Sequence, residues 1–371
     1  MESLAPFLVW GLTGLLIVLV IGVVILLGIR SYTAWRDRIR LDMRDTTRSK
    51  LLTAIRELAD PNNNGLTWVV KPLKPKSQDE TAVLKQVMTE LSRVLSDEDR
   101  WRLAELYEGT GMQSEDMQIL RDTKKPWYER ARTAYRLGQM RCASAIETLT
   151  TALRDPSQEV RLMAIWALTE IGDDRAVSPI VVSLADANGW ELMHAANCLL
   201  GMTGELTLPL LDLLRASGPK RDRRERISST VLDLLSEFGQ RARNRLNPRA
   251  CRQAADDLLK SDSVDIRARA VRALTALGIE SHDELEVILR CLKDPAWEVR
   301  AVTARALGEM QVLDAIPLLA QAVSDEAYWV RHNAAFALKQ FGEFGYEALD
   351  HLQRSQDRFA REMARQVMEQ G

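Results

Sequence analysis

Arginine, tryptophan, histidine and cysteine are the side chains of this 371-residue sequence whose spacing bears on chemistry. The four histidines, His194, His282, His332 and His351, are scattered; none sits in an HExxH pattern and none is followed by Glu. A metal site on helices needs paired ligands at such spacings, so no metal ligands are expected. The four cysteines, Cys142, Cys198, Cys251 and Cys291, lie far apart with no CxxC spacing. They fall in apolar helical patterns and read as buried reduced thiols rather than a disulfide framework. No P-loop, GxSxG elbow or paired catalytic carboxylate occurs in a plausible context. The expectation is a protein that is not an enzyme, with no catalytic residues and no cofactor.

Three arrangements remain. Arg130, Arg161, Arg267, Arg300 and Arg331 each have a leucine seven residues later, and they recur at steps of 31 or 33 residues; Leu192 occupies the slot 31 after Arg161. Such a row could bind anions, but it reads better as a set of contacts to the Asp cap or loop of a neighbouring repeat. Trp127, Trp190, Trp297 and Trp329 fall two or three residues before the arginine slot. Aromatics recurring on one edge make a binding ridge, or they pack on the preceding loop. Finally, eleven basic residues lie between Arg215 and Arg252 against four acids, about +7 in a chain of net charge −2. One-signed charge steers an acidic partner or membrane surface; the plainer reading is a solvated, degenerate repeat. Candidate partner-binding residues are therefore Arg221, Arg223, Arg224, Arg226, Arg241, Arg243 and Arg245, with the four tryptophans.

The elements that position these residues are helices. Gly and Pro together number 31, too few for many short strands joined by tight turns. Asp155-Pro156-Ser157-Gln158-Glu159-Val160-Arg161 is followed by Ala164, Ala167, Leu168 and Gly172; Asp294 to Arg300 is followed by Ala304, Ala306, Leu307 and Gly308; Asp325 to Arg331 and Asp262 to Arg267 repeat the pattern. A fixed period of this size marks a solenoid. In this reading Asp caps the helix, Pro stands in its first turn and Gly ends it. A second helix, such as Asp314 to Leu319, packs back.

These residues resemble the HEAT family, in particular bacterial HEAT-like repeats of the pattern DPxxEVRxxAxxALG, including the type found in phycobilisome lyases. The resemblance spans Trp127 to Leu352 in about seven repeats. It implies an α-solenoid and protein–protein interaction, and says almost nothing of chemistry. HEAT-type hydroxylases carry His-Glu pairs for their irons, which this chain lacks. A lyase-like HEAT enzyme or enzyme subunit is an alternative reading, and a binder of anionic lipid or nucleic acid through 215–252 another. The repeat at about Arg221 to Leu259 departs from the pattern.

The amino-terminal region is different. From Phe7 to Ile29 there are 23 residues without a charge, followed by eight basic residues against three acids between Arg30 and Arg56. That run is long enough to span a bilayer, and the basic flank places the long carboxy-terminal part of the chain in the cytoplasm. Trp35, Ile39, Met43, Thr47, Leu51, Ile55 and Leu58 form one helical stripe, which docks on a partner or anionic headgroups, or packs on the chain's own next helices. The fold class expected is all-α, a single transmembrane helix followed by a HEAT-type α-solenoid. Its segments are an anchor (1–30), a basic juxtamembrane helix (31–60), an extended linker (61–78), a helical segment (79–125), the solenoid (126–356) and a capping helix (357–371). The function expected is a scaffold at the bacterial inner membrane, with its amino terminus outside. It would bind a protein partner, for instance a membrane-embedded enzyme such as a glycosyltransferase or an exporter. Anionic headgroups are a candidate second partner; nucleic acid is not expected.

Overall fold

A computed structural model describes residues 5–60, 65–186, 189–215, 221–242 and 246–369; within these, the side chains of 5–22, 24, 36, 186, 221, 240 and 242 are not described. The described residues are helical, with no strand among them. They form two units, residues 1–116 and 117–371.

The first unit holds α1 (Ala5–Ala59), α2 (Leu66–Val70), α3 (Gln78–Leu91) and α4 (Asp97–Gly109), and α5 (Met112–Arg121) comes next. Helix α1 runs unbroken from the charge-free segment into the basic one. Among the described residues no helix is long and apolar enough to cross a membrane. Most of the expected span, Phe7–Ile29, falls on side chains outside the described set. The carboxy-terminal part of the predicted stripe packs on the chain's own helices: Leu51 and Ile55 are buried, and Arg44 donates to Glu90 at 2.7 Å. Trp35 and Ile39, nearer the amino terminus, stay exposed.

The segment 61–78, expected as an extended linker, instead contains α2 and a 3₁₀ turn at Lys71–Leu73. The reason is apolar spacing: Val69, Val70 and Leu73 are all buried, and burial of three such side chains outweighs the breaking tendency of the Lys-Pro pairs. Gly109 allows the approach, because a Cβ there would lie 2.8 Å from Val70 Cγ2. Ser96 caps α4, accepting from the Asp99 N–H.

The second unit is a stack of helix pairs: α6 (Trp127–Gln139) with α7 (Ile146–Ala152), α8 (Gln158–Ile171) with α9 (Val177–Ser183), α10 (Gly189–Gly201) with α11 (Thr207–Arg215), α12 (Arg221–Phe238) with α13 (Pro248–Leu258), α14 (Val264–Leu277) with α15 (His282–Arg290), α16 (Trp297–Met310) with α17 (Ile316–Ala322), and α18 (Tyr328–Gln340) with α19 (Glu343–Gln353); α20 (Arg358–Glu369) packs on the last pair. The first helices of the pairs stack on one another as one layer, and the second helices form the other layer. Alanines and leucines of the repeat, such as Ala164, Leu168, Ala304, Leu307, Ala334 and Leu338, fill the space between layers and are fully buried.

Two details of the repeat correct the sequence reading. The recurrent Asp does not cap the helix. Asp155, Asp294 and Asp325 each accept a hydrogen bond from the backbone N–H two residues later, at 2.8 Å, closing the turn ahead of a helix whose N-cap is Ser157, Ala296 or Ala327. The glycines serve two purposes. Gly172 ends α8 in the left-handed region, φ 77°, which glycine adopts without strain. Gly308 lies inside α16, where an added Cβ would stand 2.6 Å from Ala337; there it permits close packing of α16 on α18.

Candidate functional site

The repeated arginines are built into the frame. Arg130 sends Nε and Nη2 to the two oxygens of Asp155, at 2.9 and 2.7 Å, and both side chains are only 4% exposed. Arg267 forks Asp294 in the same way at 2.9 Å, and Arg300 forks Asp325 at 2.8 Å. The third nitrogen turns back to the chain's own loop: Nη1 of Arg300 donates to the carbonyls of Asp294 and Pro295, and Nη1 of Arg331 to those of Asp325 and Glu326. Arg130, Arg267 and Arg300 thus each close their own turn and grip the next one, which suits the rigid planar fork of guanidinium. Arg161 reaches Glu191 instead, at 2.6 Å. At the end of the series Arg331 lies over the ring of Phe359, 4.7 Å from its centre. Burial pushes the carboxyls of Asp294 and Asp325 up, but hydrogen bonds from Arg267 and Arg300, a backbone N–H and neighbouring guanidinium charge outweigh it. Both carboxyls therefore sit below the usual aspartate value.

The middle of the array is linked otherwise. Leu192 cannot fork anything, and the joint of α10 with α12 opens into a groove of ≈ 500 Å³ between Leu192 and the Asp222–Asp233 face of α12. The next joint is bridged from mid-helix, by Arg269 to Asp233 and by Ser229 to Asp265. In the second layer Arg252 is buried and pairs with Glu280 at 2.6 Å and Glu284 at 2.9 Å. Arg252 is therefore a structural cation, although it falls within the basic stretch of the sequence.

The tryptophans occupy the opposite situation. Trp127, Trp190, Trp297 and Trp329 stand at the amino-terminal ends of α6, α10, α16 and α18 and are 51%, 58%, 41% and 55% exposed. They are joined by aromatics that the tryptophan spacing alone did not reveal. Tyr128 lies edge-on to Trp127, Tyr328 edge-on to Trp329, and Phe359 begins the same turn of α20. Trp190 stacks on His194, 4° from parallel. The signal available was the general one: an aromatic in any position between the loop Asp and the Arg slot.

Of the basic candidates, Arg223, Arg224 and Arg226 are exposed on α12. Arg241 is exposed and donates to the Glu237 carbonyl at 2.5 Å. The side chains of Arg221, Arg243 and Arg245 lie outside the described residues. No disulfide joins the four cysteines. Burial pushes the thiols of Cys198, Cys251 and Cys291 up to about 11, which suppresses the reactive thiolate. Among the described residues no group of three or more His, Cys, Asp or Glu could hold a metal ion.

An α-solenoid of stacked helix pairs, coupled by arginine forks, is the class this geometry defines. Comparison sharpens this: residues 117–201 and 285–369 match the family model of HEAT repeats. Among solved structures, an engineered protein is similar at 17% identity, covering 88% of this chain and 94% of that one, with a TM-score of 0.34. Human deoxyhypusine hydroxylase in complex with glycerol is similar at 21% identity, covering 87% and 96%, with a TM-score of 0.28. Kap121p bound to Pho4p is similar at 14% identity, covering 86% of this chain and 45% of that one, with a TM-score of 0.32. No curated protein matches.

Proposed function

We propose that the chain is a membrane-anchored scaffold whose HEAT-repeat array holds a protein partner along its aromatic row. The observation that carries this reading is the exposure of tryptophan at the start of four first-layer helices, while Arg130, Arg300 and Arg331, which follow three of them, are committed to the frame. Large aromatics left in water on one edge of an otherwise well-packed array are the residue types that dominate protein interfaces. Anchoring is supported by the charge-free run Phe7–Ile29 and by α1 itself, on which Ile25, Leu26, Leu27 and Ile29 are exposed just ahead of Tyr32 and Trp35. The basic flank favours a cytoplasmic array at the inner membrane. A membrane-embedded enzyme, such as a glycosyltransferase or an exporter, is the partner class that fits an array tethered there.

The test uses the full chain in its host membrane. Protease added to intact spheroplasts leaves the array whole if the orientation is right, and removes it if the orientation is inverted. Replacing Trp127, Trp190, Trp297 and Trp329 by Ala abolishes partner capture from solubilised membranes while leaving the melting temperature within a few degrees. Undiminished capture by the folded quadruple variant would remove the aromatic row from the account.

A further inference from the structure

Between α7, α9 and α12 lies a groove of ≈ 550 Å³ lined by Arg154, Arg223 and Arg226, with no acidic side chain among its lining residues. Arg154 follows α7 and Arg223 lies in the first turn of α12, 69 positions apart in sequence, so the convergence is a product of the fold. The side chains of Arg154 and Arg223 make no hydrogen bond or ion pair among the described residues. This contrasts with the frame arginines Arg130, Arg161, Arg267 and Arg300, each committed to a carboxylate. Two guanidinium groups without a partner among the described residues thus line one groove, where like charge is unfavourable and an anion offsets it.

The other lining groups narrow the anion. The hydroxyl of Thr150 makes no hydrogen bond among the described residues and is free to donate. Those of Thr151 and Ser183 already donate to the carbonyls of Glu147 and Ile180, so only their oxygens remain, as acceptors for a ligand hydroxyl. Pro179 and Val182 supply an apolar wall. The volume falls in the range of small-molecule sites. Paired guanidinium forks suit the tetrahedral oxygens of phosphate better than a single carboxylate.

We infer that this groove binds the phosphate of a small hydroxyl-bearing phosphate ester, gripped by Arg154 and Arg223. The inference is independent of whether the aromatic row holds a partner. The ester has two sources, a soluble phosphomonoester or a phospholipid headgroup, in which the phosphate is a diester of lower charge.

Titration calorimetry on the purified full chain tests it with three probes: glycerol 3-phosphate, glycerophosphoglycerol and glycerol. Binding of the phosphates without binding of glycerol is expected, and preference between the first two assigns the source: tighter monoester binding points to a soluble ligand, equal or tighter diester binding to a headgroup. Arg154→Gln and Arg223→Gln are each expected to weaken binding about tenfold. Because both side chains are exposed and have no partner among the described residues, the melting temperature without ligand should not move. Unchanged affinity in the folded double variant, or no binding of either phosphate by the wild-type chain, would overturn the assignment.

Discussion

The joints that keep the arginine slot differ from those around α10 to α13, in the middle of the array, in how neighbouring helices are held. Where the fork forms, an arginine near the start of one helix grips the Asp of the next loop, as Arg130 grips Asp155, Arg267 grips Asp294 and Arg300 grips Asp325. In the middle the arginine slot holds Leu192, the α10–α12 joint opens into a groove, and the ion pairs move to mid-helix (Arg269–Asp233) or to the second layer (Arg252–Glu280). Helices in such an array have no distant contacts to fall back on, so each joint must be coupled by something local. The fork is one solution, and it gives the sequence its visible period. Where it is given up, the period disappears, the surface becomes irregular, and exposed arginines gather on α12.

This contrast can be broken from the largest effect downward. Asp155→Ala leaves Arg130 buried without its partner and is expected to cost roughly 3–5 kcal/mol, read as a lowered denaturation midpoint. Asp222→Ala, at the exposed face of the middle, should stay within about 0.5 kcal/mol. Equal effects would mean that the forks are not the coupling. A smaller contrast concerns glycine. Gly308→Ala forces a methyl to within 2.6 Å of Ala337 and should destabilise by about 1–3 kcal/mol. Gly201→Ala in α10 meets nothing within 4 Å and should be neutral or stabilising by up to about 1 kcal/mol. Smallest under mild conditions is acid sensitivity. Asp294 and Asp325 have folded-state pKa values below their unfolded ones, so their contribution is complete above the ordinary carboxylate value of about 4 and is lost as pH falls through the lowered values. A melting temperature that rose on acidification through that window would contradict the pairing.

Much of the frame was legible in the sequence because it repeats. The 31-residue arginine step, the leucine seven residues on and the alanine positions define helix pairs without any coordinates, and the expectation that the arginines reach a neighbouring loop follows from the fold they imply. What failed to show is what depends on local geometry. Asp155 looks like a cap until the turn is seen to close two residues earlier, with Ser157 in the cap position. Gly308 and Gly172 are the same letter, yet one allows helices to touch and the other ends a helix. Segment 61–78 reads as a breaker-rich linker because Lys-Pro pairs mask the Val69, Val70, Leu73 spacing that buries it. The Arg154–Arg223 groove has no sequence signature, since only the stacking of α7, α9 and α12 brings its walls together.

The most direct test of the coupling claim is native-state hydrogen exchange on the full chain, compared with the Asp325→Ala variant. In the wild-type chain the amides of α16 and α18 should exchange more slowly than those of α10 and the first half of α12, because an opening at an unforked joint exposes less buried structure. Removing Asp325 should bring α16 and α18 toward the rates of α10 and leave α10 unchanged. Uniform protection across the array, or a variant whose α16 and α18 remain as protected as before, would contradict the account.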